Sequence, residues 1–160
     1  MQYSPLYEML PNLAGRETKE IVIIKKDFHK VPAGTYGLME MYCTDKRCDC
    51  RRVFINVISE EMKKPLALIT FGWESEKFYA DWYHLDWENL TEMDRRDIAG
   101  LKGPCLNMSG QQSRYAQDLL TLVTQMALTD PDYVDRLKRH YKLFKLKLHS
   151  SEKWDEYYGY

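Results

Sequence analysis

The stretch Thr35–Ser59, TYGLMEMYCTDKRCDCRRVFINVIS, decides the fold. Its first nine residues alternate: Tyr36, Leu38, Glu40 and Tyr42 point one way, while Gly37, Met39, Met41 and Cys43 point the other. That period of two predicts a strand over Thr35–Cys43, and Val53, Ile55 and Val57 repeat it over Arg52–Ser59. Between them Thr44–Asp49 is polar and short, so the two strands read as an antiparallel hairpin. Cys43, Cys48 and Cys50 sit at its tip.

Working outward, the β-branched run Ile21–Ile24 predicts a strand over Glu20–Phe28, buried on both faces. His29–Gly34, with Pro32, Ala33 and Gly34, is turn chemistry. After the charged turn Glu60–Pro65, Leu66–Trp73 reads as a fourth strand. Met1–Thr18, carrying Pro5, Pro11 and Gly15, reads as a leader packed on the body. The sum is an antiparallel meander of about four strands.

Beyond Trp73 the period lengthens to that of a helix. Ser75 caps a short helix through His84, and Thr91 caps another that stops near Gly100. Gly103-Pro104 then breaks the chain. Ser113 opens a helix with the apolar stripe Tyr115, Leu119, Leu122, Val123 and Met126. Asp130-Pro131 starts the last one, whose stripe is Tyr133, Leu137, Tyr141, Phe144 and Leu148. Strands first and helices afterwards give an α+β fold. One domain is expected over 1–160, with a leader (1–18), meander (19–73), helical part (74–149) and a loosely held tail (150–160).

Composition narrows the class. The chain has 160 residues, 44% hydrophobic and 29% charged, which suits a globular domain and neither a disordered nor a membrane-embedded one. With 23 Lys plus Arg against 24 Asp plus Glu, no whole-chain grip on nucleic acid is expected. No apolar run approaches membrane-span length and no secretory signal precedes the body, so a cytoplasmic protein is expected.

Clustered thiols in a reducing compartment point to a metal more often than to a disulfide framework. Zinc suits them: it takes deprotonated thiolates in a tetrahedron, and three ligands on one hairpin leave only the fourth to close a long loop. Arg47, Arg51 and Arg52 would offset the thiolate charge. The plainer alternative is three thiols packing as small hydrophobes. For the fourth ligand the chain offers Cys105, His140, His84 and His29, and Cys105, in a loop, has the wider reach.

The motif Tyr42-Cys43-x4-Cys48-Asp49-Cys50-Arg51-Arg52-Val53 resembles a family of uncharacterised microbial proteins. The resemblance runs on through Gly72-Trp73-Glu74-Ser75, Phe78-Tyr79, Trp82, Gln112-Ser113 and Leu119-Leu120 to Tyr133-x2-Arg136-Leu137-x2-His140-Tyr141-x2-Phe144-Lys145. It spans roughly residues 19 to 147, and its hairpin and helical motifs together are fairly specific. What the resemblance implies is a structural zinc held by Cys43, Cys48, Cys50 and His140, with Cys105 as the alternative to His140.

No H-E-x-x-H, no deaminase signature and no phosphate-binding glycine loop occurs. An open three-thiolate zinc with Asp49 or Glu40 as helper is the form a metal-dependent hydrolase would take. The aromatic group Trp73, Phe78, Tyr79, Trp82, Tyr83 and Trp87 reads as a seal between sheet and first helix, and alternatively as a stacking surface for bases. Arg136, Lys138, Arg139, Lys142, Lys145 and Lys147 make the last helix basic. The plain reading is a solvated face that suits the helix dipole. The functional one is contact with nucleic acid or an acidic partner through Arg136, Arg139 and Lys142. The leading expectation is a small zinc-binding interaction or adaptor module with no catalytic residues, whose partner is another protein. An accessory nucleic-acid binder and the hydrolase are the alternatives, and no membrane contact is expected.

Overall fold

The computed structural model describes residues 2–25 and 30–150. Its sheet contains β1 (Tyr3–Pro5), β2 (Lys19–Ile23), β3 (Gly34–Cys43), β4 (Arg52–Ser59), β5 (Lys64–Gly72) and β6 (Cys105–Leu106). All pairings are antiparallel. β3, β4 and β5 run consecutively as the meander, and β6 closes the β5 edge. On the other side of β3, β2 pairs with residues 34–38 and β1 with residues 41–43. The leader therefore does more than pack: it supplies a strand, then α1 (Leu6–Met9) and α2 (Pro11–Glu17), which bury Leu6, Leu13 and Ala14.

Alternation within β3 and β4 divides the sheet into two unlike faces. Leu38 pairs with Val57 and Glu40 with Ile55, so Tyr36, Leu38, Glu40, Tyr42, Val53, Ile55 and Val57 share one face, and all seven are buried. α1, α2, α5 (Ala116–Val123) and α6 (Pro131–His149) cover that face with Leu13, Leu119, Leu122, Leu137 and Phe144. Each such side chain withdrawn from water contributes about 1.5–3 kcal/mol. The opposite face carries Cys43, paired with Tyr3, and Phe54, paired with Met41.

The expected strand over Glu20–Phe28 is shorter and differently exposed. β2 ends at Ile23 and alternates, with Ile21 and Ile23 buried while Val22 is 58% and Ile24 85% exposed. It is an edge strand with one dry face, because among the described residues β3 alone flanks it. Ile24 and Lys25 lie beyond the strand, and residues 26–28 of that prediction, with the turn residue His29, lie outside the described residues, as does the tail beyond Ser150.

Helix starts follow their chemistry. Ser75 Oγ accepts from Phe78 N to open α3 (Glu76–Trp82), and Thr91 with Asp94 forms a reciprocal capping box for α4 (Glu92–Lys102). Asp130 caps α6 with Pro131 in its first turn. α3 and α4 form a second small core around Tyr79, Ala80 and Ile98. The expected aromatic seal is thus divided: Phe78 and Tyr79 belong there, whereas Trp73 packs on the main core. α5 continues into a π-helical turn over Thr124–Leu128. The extra residue per turn rotates the helix, so Ala127 and Leu128 are buried and Met126, expected on the stripe, is 45% exposed. Among the described residues no helix is long and apolar enough to cross a membrane.

Candidate metal centre

Cys43 closes β3, and Cys48 and Cys50 lie on the connection to β4. Their three Sγ atoms all lie within 4.8 Å of one another. Cys43 and Cys50 are buried and Cys48 is half-buried, so the trio opens to solvent on the Cys48 side.

The loop is shaped by Arg51, whose φ of +50° places it in the left-handed region that residues with a Cβ seldom enter. Three bonds hold it there. Its N–H donates to Tyr141 Oη at 3.3 Å, while its carbonyl accepts from Tyr79 Oη at 2.8 Å and from Trp73 N at 3.4 Å. This reversal returns the chain to β4 with Cys50 and Arg52 on either side of the kink.

On the sulfur side the neighbours are Tyr3 and Arg52. Arg52, buried, donates from Nη2 to Tyr3 Oη at 3.2 Å and from Nη1 to Leu101 O at 3.3 Å. Tyr3 Oη lies 3.7 Å from Cys50 Sγ. Having accepted from Arg52, the phenol keeps its own hydrogen to donate to sulfur. Of the three arginines expected to offset thiolate charge, Arg52 reaches the trio through Tyr3. Arg51 turns instead to Asp49 at 2.9 Å and Glu74 at 3.4 Å. Burial, and then the Cys50 and Cys43 sulfurs, push the Cys48 thiol up to about 12. Cys48 would therefore be a thiolate only with a cation beside it.

The helical histidine stands elsewhere. His140 is fully buried, its Nδ1 2.7 Å from Glu40 Oε2 and its Nε2 3.5 Å from Glu17 Oε1. Expected as a ligand beside the three cysteines, it falls outside their group. The cause is the alternation of β3: Glu40 and Tyr42 face α6, and Cys43 faces the other way. α6 still fastens the hairpin, through other residues. Tyr141 Oη donates to Asp49 Oδ1 at 2.9 Å, and Lys145 Nζ donates to the carbonyls of Cys43 and Asp45 at 2.9 and 3.0 Å. Cys105 also stands apart, its Sγ 3.6 Å from Gly100 O, and His84 follows α3 in an exposed turn. His29 lies outside the described residues.

The two carboxylates considered as helpers are both engaged. Glu40 Oε2 receives Tyr42 Oη at 2.7 Å as well as facing His140. Asp49, despite burial that pushes its pKa up, is held below the ordinary range by Arg51 and Tyr141. The basic residues of α6 divide too. Arg136 Nη1 donates to Glu17 O at 3.2 Å and Arg139 Nη1 to Glu17 Oε2 at 3.1 Å, whereas Lys142 lines the hollow beside the cysteine loop.

Sequence reasoning misses Tyr3 and Tyr141 as parts of the site, and the route by which Arg52 acts on it. Tyr3 belongs to a three-residue strand with no period to read, and Tyr141 reads as one more member of an apolar stripe. Glu40 does leave a signal: a carboxylate on the face of Tyr36, Leu38 and Tyr42 requires a buried partner. Three thiols thus stand within reach of one metal ion, with a phenol and a guanidinium behind Cys50. Comparison of the chain with protein-family models, with curated proteins and with solved structures gives no significant match.

Proposed function

We propose that Cys43, Cys48 and Cys50 bind one zinc ion and that the protein is a metal-stapled interaction module. The observation that carries this is the convergence of the three sulfurs within 4.8 Å from a single hairpin. Thiolates bound to zinc at 2.3 Å in a tetrahedron stand about 3.8 Å apart, within the 4.8 Å that bounds the separations of these sulfurs. Among the described residues no fourth His, Cys, Asp or Glu joins the group, so the fourth position falls to a water or to a group brought from outside it. Soft thiolate donors favour zinc or copper(I) over hard cations, and the Tyr3–Arg52 pair supplies the outer hydrogen bond such sites need.

The metal fixes the loop and thereby the surface built around it. Its contribution is local, because the main core of the described residues lies on the opposite face of β3. A hydrolytic reading finds less support, since Asp49 and Glu40 are committed to Arg51, Tyr141, Tyr42 and His140. Elemental analysis of the purified chain should give about one zinc per molecule, and Cys48→Ser should lower it sharply. A chain that carries no metal, and takes none up from added zinc at micromolar concentration, overturns the proposal.

A further inference from the structure

Two hollows adjoin beneath the cysteine loop, one of about 460 Å³ reaching Lys46, Arg47, Lys145 and Leu146, the other of about 430 Å³ reaching Arg51, Trp73 and Lys138. They share Asp49, Tyr141 and Lys142, so they form one groove between the loop and α6. We infer that this groove binds single-stranded nucleic acid along its phosphate backbone. The inference does not rest on the zinc reading, because the groove walls are joined by Tyr141–Asp49 and Lys145–Cys43 bonds that involve no sulfur.

Charge is the first argument. Among the described residues the groove's carboxylates are Asp49 and Glu74, and Arg51 pairs with both. Lys46, Arg47 and Lys142 have no carboxylate partner among the described residues, and Lys145, bonded through Nζ to the Cys43 and Asp45 carbonyls, shares the charge of Asp49 with Arg51. Lys46 and Arg47 come from a loop about a hundred residues away from α6, so the fold itself gathers these like charges. Of the other α6 cations, Arg139 pairs with Glu17, and Lys138, at the groove wall, lies 4.0 Å from Asp135. An array of like charges lining one groove favours an anionic occupant.

Its chemistry narrows the occupant. The guanidinium fork of Arg51, the group suited to seizing a lone phosphate, is already filled. What remains, the fork of Arg47 with the point charges of Lys46, Lys142 and Lys145, is spread along the joined hollows and suits an extended polyanion held by counterion release. Trp73, half-buried, lines the groove with these cations and packs edge to face on the buried Tyr141 at 5.2 Å. A set of cations beside an accessible ring is the pattern of single-strand binding, in which a base stacks on the indole while the cations hold its phosphates.

The test uses the full chain and a fluorescent oligo-dT of about 15 nucleotides, followed by anisotropy between about 50 and 200 mM salt. The expected binding weakens with salt along a log–log slope near −3, corresponding to about four phosphate contacts. Lys46→Glu with Lys142→Glu should weaken it about tenfold or more and flatten the slope by roughly 1.4. Lys46→Gln with Lys142→Gln should weaken it less, in the same direction. Lys77→Glu with Arg96→Glu, the same charge change made on α3 and α4, should weaken it no more than about twofold. Absence of binding at the lowest salt overturns the inference. So does equal weakening by the control pair, or displacement of the oligonucleotide by polyglutamate at equal charge, which would mark an acidic-peptide groove.

Discussion

His140 and Glu40, one hundred residues apart in the chain, meet inside the core through a 2.7 Å contact between Nδ1 and Oε2. The same oxygen accepts the Tyr42 hydroxyl, and that hydroxyl also lies 3.2 Å from the Leu137 carbonyl. A polar knot thus joins the middle of β3 to α6 on the face away from the sulfurs.

Removing one member of that knot exposes the cost of the other. His140→Ala leaves Glu40 buried beside Tyr42, and breaking a buried pair in this way costs about 3–5 kcal/mol. The double change Glu40→Leu with His140→Leu should cost less than the sum of the two single changes, since neither buried group is left without its partner. Urea unfolding of the three variants measures this. Zinc content supplies the second readout: His140→Ala should keep its metal, whereas Cys48→Ser loses it. Loss of metal in folded His140→Ala would return the imidazole to the coordination sphere.

Glu17 predicts an acid response. Its hydrogen bond from Arg139, followed by the charges of Arg139 and His140, holds its carboxyl at about 2, against an ordinary 4.5. A carboxylate lowered on folding stabilises the native state above its unfolded pKa, and that contribution fades as pH falls through the folded value. It is therefore present above about pH 4.5 and lost towards pH 2. Glu17→Gln should remove this share of the pH dependence, so its stability curve should fall less steeply than wild type across that window. Parallel acid-unfolding curves for the two proteins would contradict it.

How far the sequence reaches follows from what each signal encodes. β3 and β4 are legible almost to the residue because a period of two sustained over eight or more positions arises from little besides a half-buried strand. The same alternation puts Cys43 and Glu40 on opposite faces, which already tells against joining His140 to the sulfurs. Ile21–Ile24 misleads because a β-branched run states that one face is dry and not how many neighbours the strand has. β1 and β6, of three and two residues, carry no period at all. The trio is readable because its ligands are local. Tyr3, forty-seven residues from Cys50, and the Tyr141–Asp49 bond, spanning ninety-two, are long-range facts that no window of sequence holds.

The π-helical turn after α5 makes a paired prediction. Regular helical spacing would set Met126 on the buried stripe with Leu122, but the widened turn carries it outward. Met126→Gln should change stability by no more than about 0.5 kcal/mol, as exposed substitutions do. Leu122→Ala, at a fully buried position, should cost about 2–5 kcal/mol. Chemical denaturation separates the two at once. A loss above about 2 kcal/mol for Met126→Gln would mean that the helix keeps its regular phase.

Tyr141 decides whether the cysteine loop is shaped before any metal arrives. Its Oη accepts the Arg51 N–H at 3.3 Å and donates to Asp49 at 2.9 Å, so one phenol holds the kink that sets Cys50 against Cys48. Tyr141→Phe keeps the ring in the core and removes both bonds, at a cost of about 1–2 kcal/mol, because the part-buried Arg51 amide is left without its acceptor. The larger effect should be local. Hydrogen exchange at the Arg51 amide should quicken in the metal-free variant, while amides of β3 and β4 that pair with each other stay protected. Adding zinc should restore much of that protection, since three sulfur bonds then impose the geometry the phenol supplied. The variant should also bind zinc several-fold more weakly than the wild type, because part of the binding energy goes into ordering the loop. Unchanged exchange at Arg51 would show that Tyr79 and Trp73 suffice to hold the reversal, and that Tyr141 contributes packing alone.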